Sequence, residues 1–305
     1  MPYPSPVTYP SALLFPGSGA DGQHLGNIVA IGDLLLNYID SAGVHWILER
    51  GKFKGWGSPA STAELTQRSR GHGATSSEGF LRARVMTLEG LICAPTPEAL
   101  TVAADQLSEA VSLEGFRLLV SEPGIIRHVE ARRQDEVIIT DVNETTAAYS
   151  IQIVARDPRK FGDLSTATTR LPFSEGGLTF PITFPITFTG TSGTGVLRVN
   201  NPGNTQAPVW LRIDGPIPAG GWTVTHVGKK QSLTFATALA LGVGEFVTVD
   251  MDRREVLAQG QAPRSGYVTS RGWFSLDPGD NDIAFSAQNY SSTASLTVTT
   301  KPSWS

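Results

Sequence analysis

The residue types that most often carry out chemistry are few in this chain, and they are not spaced for it. The chain has one cysteine, Cys93, and five histidines, whereas a metal site needs such ligands in close and regular spacing. No two histidines stand two or four residues apart: His24, His45, His72, His128 and His226. The Gly-x-Ser-x-Gly turn of hydrolases and the Gly-x-x-x-x-Gly-Lys phosphate loop are also missing. The sequence therefore predicts no catalytic centre, no metal site and no cofactor.

Carboxylates grouped near residue 250 are the strongest candidates for acid–base chemistry. A glycosidase needs two carboxylates that face each other across a cleft, and Asp250, Asp252 and Glu255 lie close together only in sequence. Residues 251–254 are typical of a hairpin tip, where Arg253 and Arg254 would neutralise the acids. A polysaccharide-cleaving enzyme stays a minor alternative.

A second acidic group and three tryptophans suggest binding rather than catalysis. Three carboxylates flank a Pro-Gly turn, which we interpret as a solvated acidic turn, with a weak Ca²⁺ site as the alternative: Asp277, Asp280 and Asp282. Tryptophan rings stack on sugars in many lectins, but in a β-sandwich they more often lie in the core. The residues concerned are Trp222, Trp273 and Trp304.

The composition indicates the elements that must position these residues. The chain has 305 residues, a length typical of about two domains. Its 32 glycines and 20 prolines predict many turns and therefore many short strands. Charged residues make up only 17 % of the chain, which suits a β-protein that buries part of its surface in an assembly. The fold class is predicted to be mainly β.

The N-terminal half predicts strands around one helix. Thr96 as N-cap, Pro97 and Glu98 favour a helix start, and apolar residues at helical spacing continue the helix over residues 97–113. Alternating apolar residues predict strands near 44–48, 81–93, 117–120, 125–132, 136–140 and 148–155. In the second of these, Leu81, Ala83 and Val85 form one face, opposite Arg82 and Arg84.

Two segments of this half lack a strand or helix pattern. Residues 1–27, rich in Pro, Gly and Ser, predict an extended arm. Residues 52–79 contain several turn glycines and little periodicity, which predicts a long loop or an exposed hairpin. Segments of this length inside a compact domain are usually functional or disordered.

The domain boundary is predicted near Gly162, after a charged segment that contains Pro158. Residues 1–162 would form the first domain, and residues 163–194 a linker that contains the repeat Thr-Phe-Pro-Ile at 179–186. Residues 195–305 show short strands separated by turn residues, which is typical of a sandwich or jelly roll.

The charge distribution argues against sequence-specific binding of nucleic acid. Residues 1–162 carry 14 Lys and Arg against 18 Asp and Glu, and residues 163–305 carry 10 of each kind, so all the net charge of −4 lies in the first half. The N-terminus does not resemble a signal peptide, and the apolar stretch at residues 28–39 is too short to span a membrane. We expect a chain made in the cytoplasm that stays soluble or assembles.

The order of these segments resembles the distal tail proteins of long-tailed phages. An aromatic strand enters a Gly-rich segment at residues 45–57, and a further strand follows at 84–92. One helix then starts at Thr96-Pro97-Glu98, and an alternating strand with a basic, aromatic end closes the module at 149–162. The far end, residues 272–283, also looks like that family.

This resemblance implies an architecture and an assembly. The N-terminal domain would be a tail-tube-like β-sandwich or split barrel with one flanking α-helix, and the C-terminal domain a galectin-like or jelly-roll β-sandwich. A hexameric ring at the virion tail tip would join the tail tube protein to the tail-tip hub, a tail-associated lysin-like protein, and to the tail fibres. DNA would pass through its lumen without specific binding, which an acidic N-terminal half would favour.

The resemblance also implies contact residues. An inter-subunit belt over residues 52–79 would include Lys52, Phe53, Lys54 and Trp56. A contact near the domain junction would involve Arg156, Arg159, Lys160 and Phe161. The main alternative is a lectin-like virion surface or adsorption protein whose C-terminal sandwich binds host glycan, and a tail-tube protein proper is a further one.

Overall fold

The computed structural model describes residues 24–175 and 191–305. Two compact units divide after Gly162. The mainly β fold predicted from composition is confirmed. The proposed repeat at residues 179–186 and most of the proposed N-terminal arm lie outside the described residues.

The N-terminal domain contains twelve described strands and one helix. The strands are β1 His24–Ile31, β2 Leu34–Ile39, β3 His45–Leu48, β4 Ser61–Thr62, β5 Leu65–Gln67, β6 Ala74–Ser76, β7 Phe80–Leu81, β8 Arg84–Cys93, β9 Phe116–Glu122, β10 Ile125–Asn143, β11 Thr146–Ala155 and β12 Lys160–Phe161. The helix, α1, spans Pro97–Ala110. Residues 24–27, assigned to the arm from sequence, belong to β1.

Seven of these strands close into an antiparallel barrel. Their order is β11-β8-β3-β2-β1-β9-β10, and β10 pairs again with β11. Closure is possible because β10 is long: its first part pairs with β9 and its second part with β11. The sequence predicted two strands here, at 125–132 and 136–140. In the structure one strand continues through both, with an irregularity in its pairing between Arg133 and Val137.

Helix α1 begins as predicted and ends earlier. The Thr96 hydroxyl oxygen accepts a hydrogen bond from the Ala99 amide at 3.2 Å, which caps the first turn. Leu100, Ala103 and Leu107 are buried in the barrel core. The helix ends at Ala110 rather than at residue 113, because Val111 leaves helical geometry with φ −92° and ψ 66°.

The C-terminal domain contains the remaining described strands. They are β13 Ser165–Arg170, β14 Phe173–Glu175, β15 Thr191–Gly193, β16 Val196–Asn201, β17 Val209–Asp214, β18 Trp222–His226, β19 Gln231–Phe235, β20 Phe246–Asp250, β21 Glu255–Ala258, β22 Ala262–Pro263, β23 Val268–Arg271, β24 Gly279–Ala287, β25 Ser295–Thr300 and β26 Ser303–Trp304. A short 3₁₀ turn spans Ser265–Tyr267.

Two sheets pack their inner faces together to form this domain. One has the order β13-β25-β17-β20-β21-β22 and the other β16-β24-β18-β19-β23. Alternate residues of β17, β18 and β20 point into the shared core, as the period-2 pattern predicts. Strand β13 pairs along its length with β25, so the sandwich includes residues 165–170, which the sequence assigned to a linker. Among the described residues, no helix has the length and apolarity needed to cross a lipid bilayer.

Candidate assembly site: the arm and its root

The segment proposed as a belt contains a β-hairpin that projects from the barrel. Strand β4 pairs with β7, and β5 pairs with β6. We call residues 58–83 the arm. Every residue from 60 to 83 is exposed except Ala74, so the arm has no core of its own. Of the two structures predicted from sequence, the exposed hairpin is the one formed.

The arm is held at its base by a buried arginine. Arg84 is 1 % exposed, and its guanidinium donates to the carbonyl oxygens of Gly55 and Trp56, both at 2.9 Å, and to that of Gly57. A further bond, at 2.9 Å, reaches the carbonyl of Pro158. One side chain therefore fixes both ends of the arm and the segment after β11. We use the name arm root for Arg84, the residues 55–57 and 158 that it bonds, and Lys160.

Lys160 adds a second cation to the arm root. It is 6 % exposed, its Nζ donates to the Trp56 carbonyl at 3.2 Å, and it lies 5.4 Å from the centre of the Trp56 ring. Burial, together with the nearby charges of Arg84 and Arg127, lowers the pKa of Lys160 to about 8. Glu122 acts in the opposite direction and also pairs with Arg127 at 2.7 Å.

Close backbone approach at the arm root requires glycine. Gly55 has φ +82°, and a Cβ at this position would lie 2.0 Å from the Val85 carbonyl oxygen. The adjacent residue, Lys54, exchanges two backbone hydrogen bonds with Thr87, at 2.9 and 3.1 Å. The Gly-rich segment thus lies against β8 before the arm leaves the barrel.

Three of the four residues proposed for the belt form side-chain contacts within their own chain. Lys52 forms an ion pair with Glu89 at 2.8 Å. The Phe53 and Trp56 rings stack at 5.7 Å, and the Trp56 indole donates to Glu122 at 3.3 Å. Lys54 is exposed at its side chain. Contact of these residues with a neighbouring subunit stays a prediction.

The residues proposed for the domain junction surround the arm root. Arg159 pairs with Asp157 at 2.7 Å and lies 5.4 Å from the centre of the Phe161 ring. Phe161 and Lys160 are buried, whereas Arg156 is exposed. The structure thus brings Lys160 and Trp56, predicted for two different contacts, to one place. Their role at a junction stays a prediction.

The alternation in sequence placed Arg84 and Val85 on opposite faces of the strand without assigning the inward one. In the structure Arg84 is buried and Val85 is 44 % exposed. The sequence pattern that could have shown this is the alternation along β8. Arg84 stands two and four residues before Met86 and Leu88, the inward residues of β8, so the three side chains lie on one face. A charge in phase with a core face marks a buried group with partners.

Each carboxylate of the acidic cluster at residues 277–282 bonds a different side chain. Asp277 pairs with Lys229 and Asp282 with Arg198, at 2.8 and 2.9 Å. Asp280 accepts a hydrogen bond from Asn200 at 2.7 Å. No group of three His, Cys, Asp or Glu side chains suited to a metal occurs in the part of the chain that the structure describes.

The carboxylates near residue 250 lie at a hairpin, as expected. Asp250 and Glu255 are paired across β20 and β21, and residues 251–254 form the turn. Asp250 accepts hydrogen bonds from the Trp210 indole at 3.0 Å and the Arg253 amide at 2.9 Å. The pair therefore flanks a turn rather than facing across a cleft.

Asn281 orders the acidic turn of residues 277–281. Its side-chain oxygen accepts from the Asp277 amide, and its Nδ2 donates to the carbonyls of Asp277 and Gly279, at 3.0, 2.8 and 2.9 Å. The same oxygen lies 3.0 Å from His226 Nε2. Burial lowers the pKa of His226. These residues are part of the segment 272–283 that resembles the distal tail protein family. Their polar side chains therefore have a structural role in the turn.

A cleft of about 480 Å³ lies at the sheet that contains β18 and β19. Its lining includes hydroxyl side chains from Thr223, Thr234, Thr269 and Ser286. Trp222 is 1 % exposed and stacks on Phe235 at 3.7 Å, so its ring belongs to the core rather than to a sugar-stacking surface. Any glycan in this cleft would be bound by hydroxyls and backbone groups.

Comparisons with known proteins agree with the resemblance. The chain is similar to the crystal structure of the Dit protein of phage SPP1, described as a paradigm of the hub adsorption apparatus in phages that infect Gram-positive bacteria. The identity is 13 %, the match covers 83 % of this chain and 92 % of that one, and the TM-score is 0.61. A chain of the phage p2 baseplate in its activated conformation matches more weakly, with 10 % identity, 90 % and 97 % coverage and a TM-score of 0.44.

Because the sequence identity is low, the likeness to the SPP1 protein shows the fold alone. No protein with a curated description matches the sequence. Residues 202–304 match the model of the C-terminal domain of the siphovirus-type tail component family.

Proposed function

We propose that this protein is a structural subunit of the tail tip of a siphovirus-type particle, acting as a distal tail protein without catalytic activity. Six copies would form a ring between the tail tube protein and the tail-tip hub with its fibres. DNA would cross the lumen without specific binding. The family match over residues 202–304 and the likeness of fold to a hub protein support this assignment.

The observation that carries the proposal is the rooted arm. A hairpin of this length without a core is marginally stable in water, so its exposed strands need a partner. Its base is nevertheless fixed by four hydrogen bonds from one buried arginine. Rigid attachment of an uncovered element is what a subunit needs if a neighbouring copy completes it.

The test is the mass and shape of the purified full-length protein. A ring of six 32.5 kDa chains, about 195 kDa by light scattering, with a central hole in negative-stain images would support the proposal. A discrete assembly of another symmetry, such as a two-fold dimer without a hole, would contradict it.

A lectin-like adsorption protein is the second candidate, and the hydroxyl-lined cleft is the observation in its favour. Binding of the full-length protein to a glycan array, lost when Thr223→Val and Thr234→Val fill the cleft with apolar groups, would support this function. An array without signal would remove it.

A further inference from the structure

His226, the last residue of β18, is 3 % exposed and contacts two turns of the C-terminal domain. The first turn, residues 227–230, connects β18 to β19 and is closed by a backbone hydrogen bond between its first and last residues at 3.3 Å. We call it the lysine turn, because it contains Lys229 and Lys230. The second is the acidic turn of residues 277–281. A buried titratable ring thus links two turns that are distant in the chain.

The hydrogen bonds of Asn281 determine which nitrogen of the His226 ring carries the proton. Asn281 Nδ2 donates to two carbonyl oxygens, so Oδ1 is the acceptor end of its amide. His226 Nε2 lies 3.0 Å from that oxygen and must therefore donate to it. The other ring nitrogen, Nδ1, accepts a hydrogen bond from the Lys229 backbone amide at 3.3 Å. Both ring nitrogens are thus satisfied when the ring is neutral.

A second proton on the ring would convert the Nδ1 acceptor into a donor. The new N–H would face the Lys229 backbone amide, which is also a donor, in a site shielded from water. Protonation therefore breaks the bond to the lysine turn and leaves a charged donor without an acceptor. Both effects cost more free energy in a buried site than in water.

The charged groups near the ring are mostly paired with one another. They lie on the two turns and on the adjacent strands β16 and β24: Lys229, Lys230, Asp277, Asp280, Asp282 and Arg198. Asp277 pairs with Lys229 and Asp282 with Arg198. Burial is the largest influence on the pKa of His226 and lowers it, and Lys229 acts in the same direction, whereas Asn281 and Asp277 act in the opposite direction. The resulting lowered pKa agrees with the neutral ring that the hydrogen bonds require.

We propose that His226 is an acid-sensitive latch, which holds the lysine turn on the acidic turn while the ring is neutral and releases it when the ring is protonated. The two sheets of the sandwich stay folded in both states. Phe274 packs edge-on against the ring at 5.4 Å and is 4 % exposed, so release uncovers an apolar side chain at this end of the domain. The latch lies within one domain, and it holds whether or not the protein forms a ring of subunits.

The latch has a defined pH range. In the released state the ring is solvated and has its ordinary pKa of 6.5, whereas in the closed state the pKa is lower. Below pH 6.5 the released state therefore binds more protons than the closed state. The latch is fully closed above this pH, and its stability is lost as the pH falls.

The test is amide hydrogen exchange of the full-length protein at about pH 7.5, 6.5 and 5.5, corrected for the intrinsic pH dependence of exchange. Peptides that cover the lysine turn and the acidic turn report the latch, and a peptide from β25 reports the sandwich. His226→Gln keeps a donor and an acceptor but does not titrate. His45→Gln, at an exposed position in β3, is the matched control.

Protection of both turns in the wild type should fall roughly fivefold to tenfold between about pH 6.5 and 5.5, since release binds one proton, while β25 stays protected. His226→Gln should lack this pH dependence, and His45→Gln should retain it. Turns whose protection does not change with pH would overturn the inference. The same pH dependence in His226→Gln as in the wild type, or an equal loss at β25, would do so too.

Two further measurements keep the inference testable if His226→Gln does not fold. The ¹⁵N spectrum of histidine-labelled wild-type protein near neutral pH should contain a neutral ring protonated at Nε2, and a ring protonated at Nδ1 in its place would contradict the latch. Binding of an apolar fluorescent dye to the wild type should rise as the pH falls below 6.5, because Phe274 is uncovered. Dye binding that does not change over this range would also contradict it.

Discussion

The two domains bury polar groups in different ways. At the arm root the N-terminal barrel buries cations, Arg84 and Lys160, which are 1 % and 6 % exposed. The C-terminal sandwich instead buries neutral amides at its turns, with Asn201 and Asn281 at 0 % and 3 %. Both solutions satisfy backbone groups that no strand partner reaches.

The difference follows from which backbone groups need hydrogen-bond partners in each domain. At the arm root, carbonyl oxygens converge from residues 55–57 and 158, and only a donor with several N–H groups binds them all. At the 277–281 turn an amide and two carbonyls must be bonded, and one Asn side chain both accepts and donates. The projecting arm thus requires a buried charged side chain at its base, whereas the closed turn is satisfied by a neutral amide.

Removal of the arginine should give the largest effect. Arg84→Met removes four hydrogen bonds and leaves the carbonyl oxygens of Gly55, Gly57 and Pro158 without this donor, while that of Trp56 keeps Lys160. We expect a loss of about 3–5 kcal/mol in the free energy of unfolding of the N-terminal domain. Urea unfolding monitored by hydrogen exchange separates this domain from the sandwich. Arg82→Met, at an exposed position, is the control and should change stability by less than about 0.5 kcal/mol. Equal effects of the two variants would contradict the anchoring role.

Loss of the buried amide should be smaller and confined to the other domain. Asn281→Ala removes three hydrogen bonds to backbone and leaves buried groups unsatisfied, which should destabilise the sandwich by roughly 2–3 kcal/mol. The same exchange measurement should show the barrel unchanged. Asn200→Ala, an exposed neighbour that bonds Asp280, should have little effect. A loss shared equally by both domains would argue against two independent polar centres.

The pH dependence of stability should distinguish the cationic root from the neutral turn. The pKa of Lys160 is lowered to about 8 in the folded protein, against an ordinary value of 10.5. Between these values the unfolded chain binds more protons, so the N-terminal domain should become more stable relative to a Lys160→Met variant as pH rises from 8 to 10.5. Urea midpoints of both proteins at the two ends of this window test the sign. A constant difference would mean that Lys160 is not held in a desolvated site.

The sequence predicted the elements better than their closure. The helix start, the alternating strand near 148–155, and the exposed hairpin that was one of the two structures expected for 52–79 followed from local patterns, and the structure has them. The barrel did not follow, because closure depends on one strand pairing with two partners that are distant in sequence. Polar residues 134–136 interrupt the apolar pattern of β10, although its backbone continues.

The arm root was missed for a related reason. A strand pattern assigns arginines to the solvated side, and here Arg82 is exposed whereas Arg84 is buried two residues later. What reverses the assignment is a set of carbonyl oxygens from segments about 30 and 70 residues away in the chain, which no local pattern reveals. The only local indication of its burial is that Arg84 falls at the same alternate positions as the core residues of β8.

The smallest expected effect concerns the helix cap of the N-terminal domain. Thr96→Ala removes the hydroxyl that accepts from the Ala99 amide, and loss of such a cap typically costs about 1 kcal/mol. Thr101→Ala removes a hydroxyl that bonds the Pro97 carbonyl inside the same helix, where alanine is the better helix former, so this control should be neutral or slightly stabilising. Urea midpoints of the two variants should therefore differ in sign or size. If they coincide, the cap does not contribute to holding α1 on the barrel, and the core contacts of Leu100 and Leu107 alone fix it.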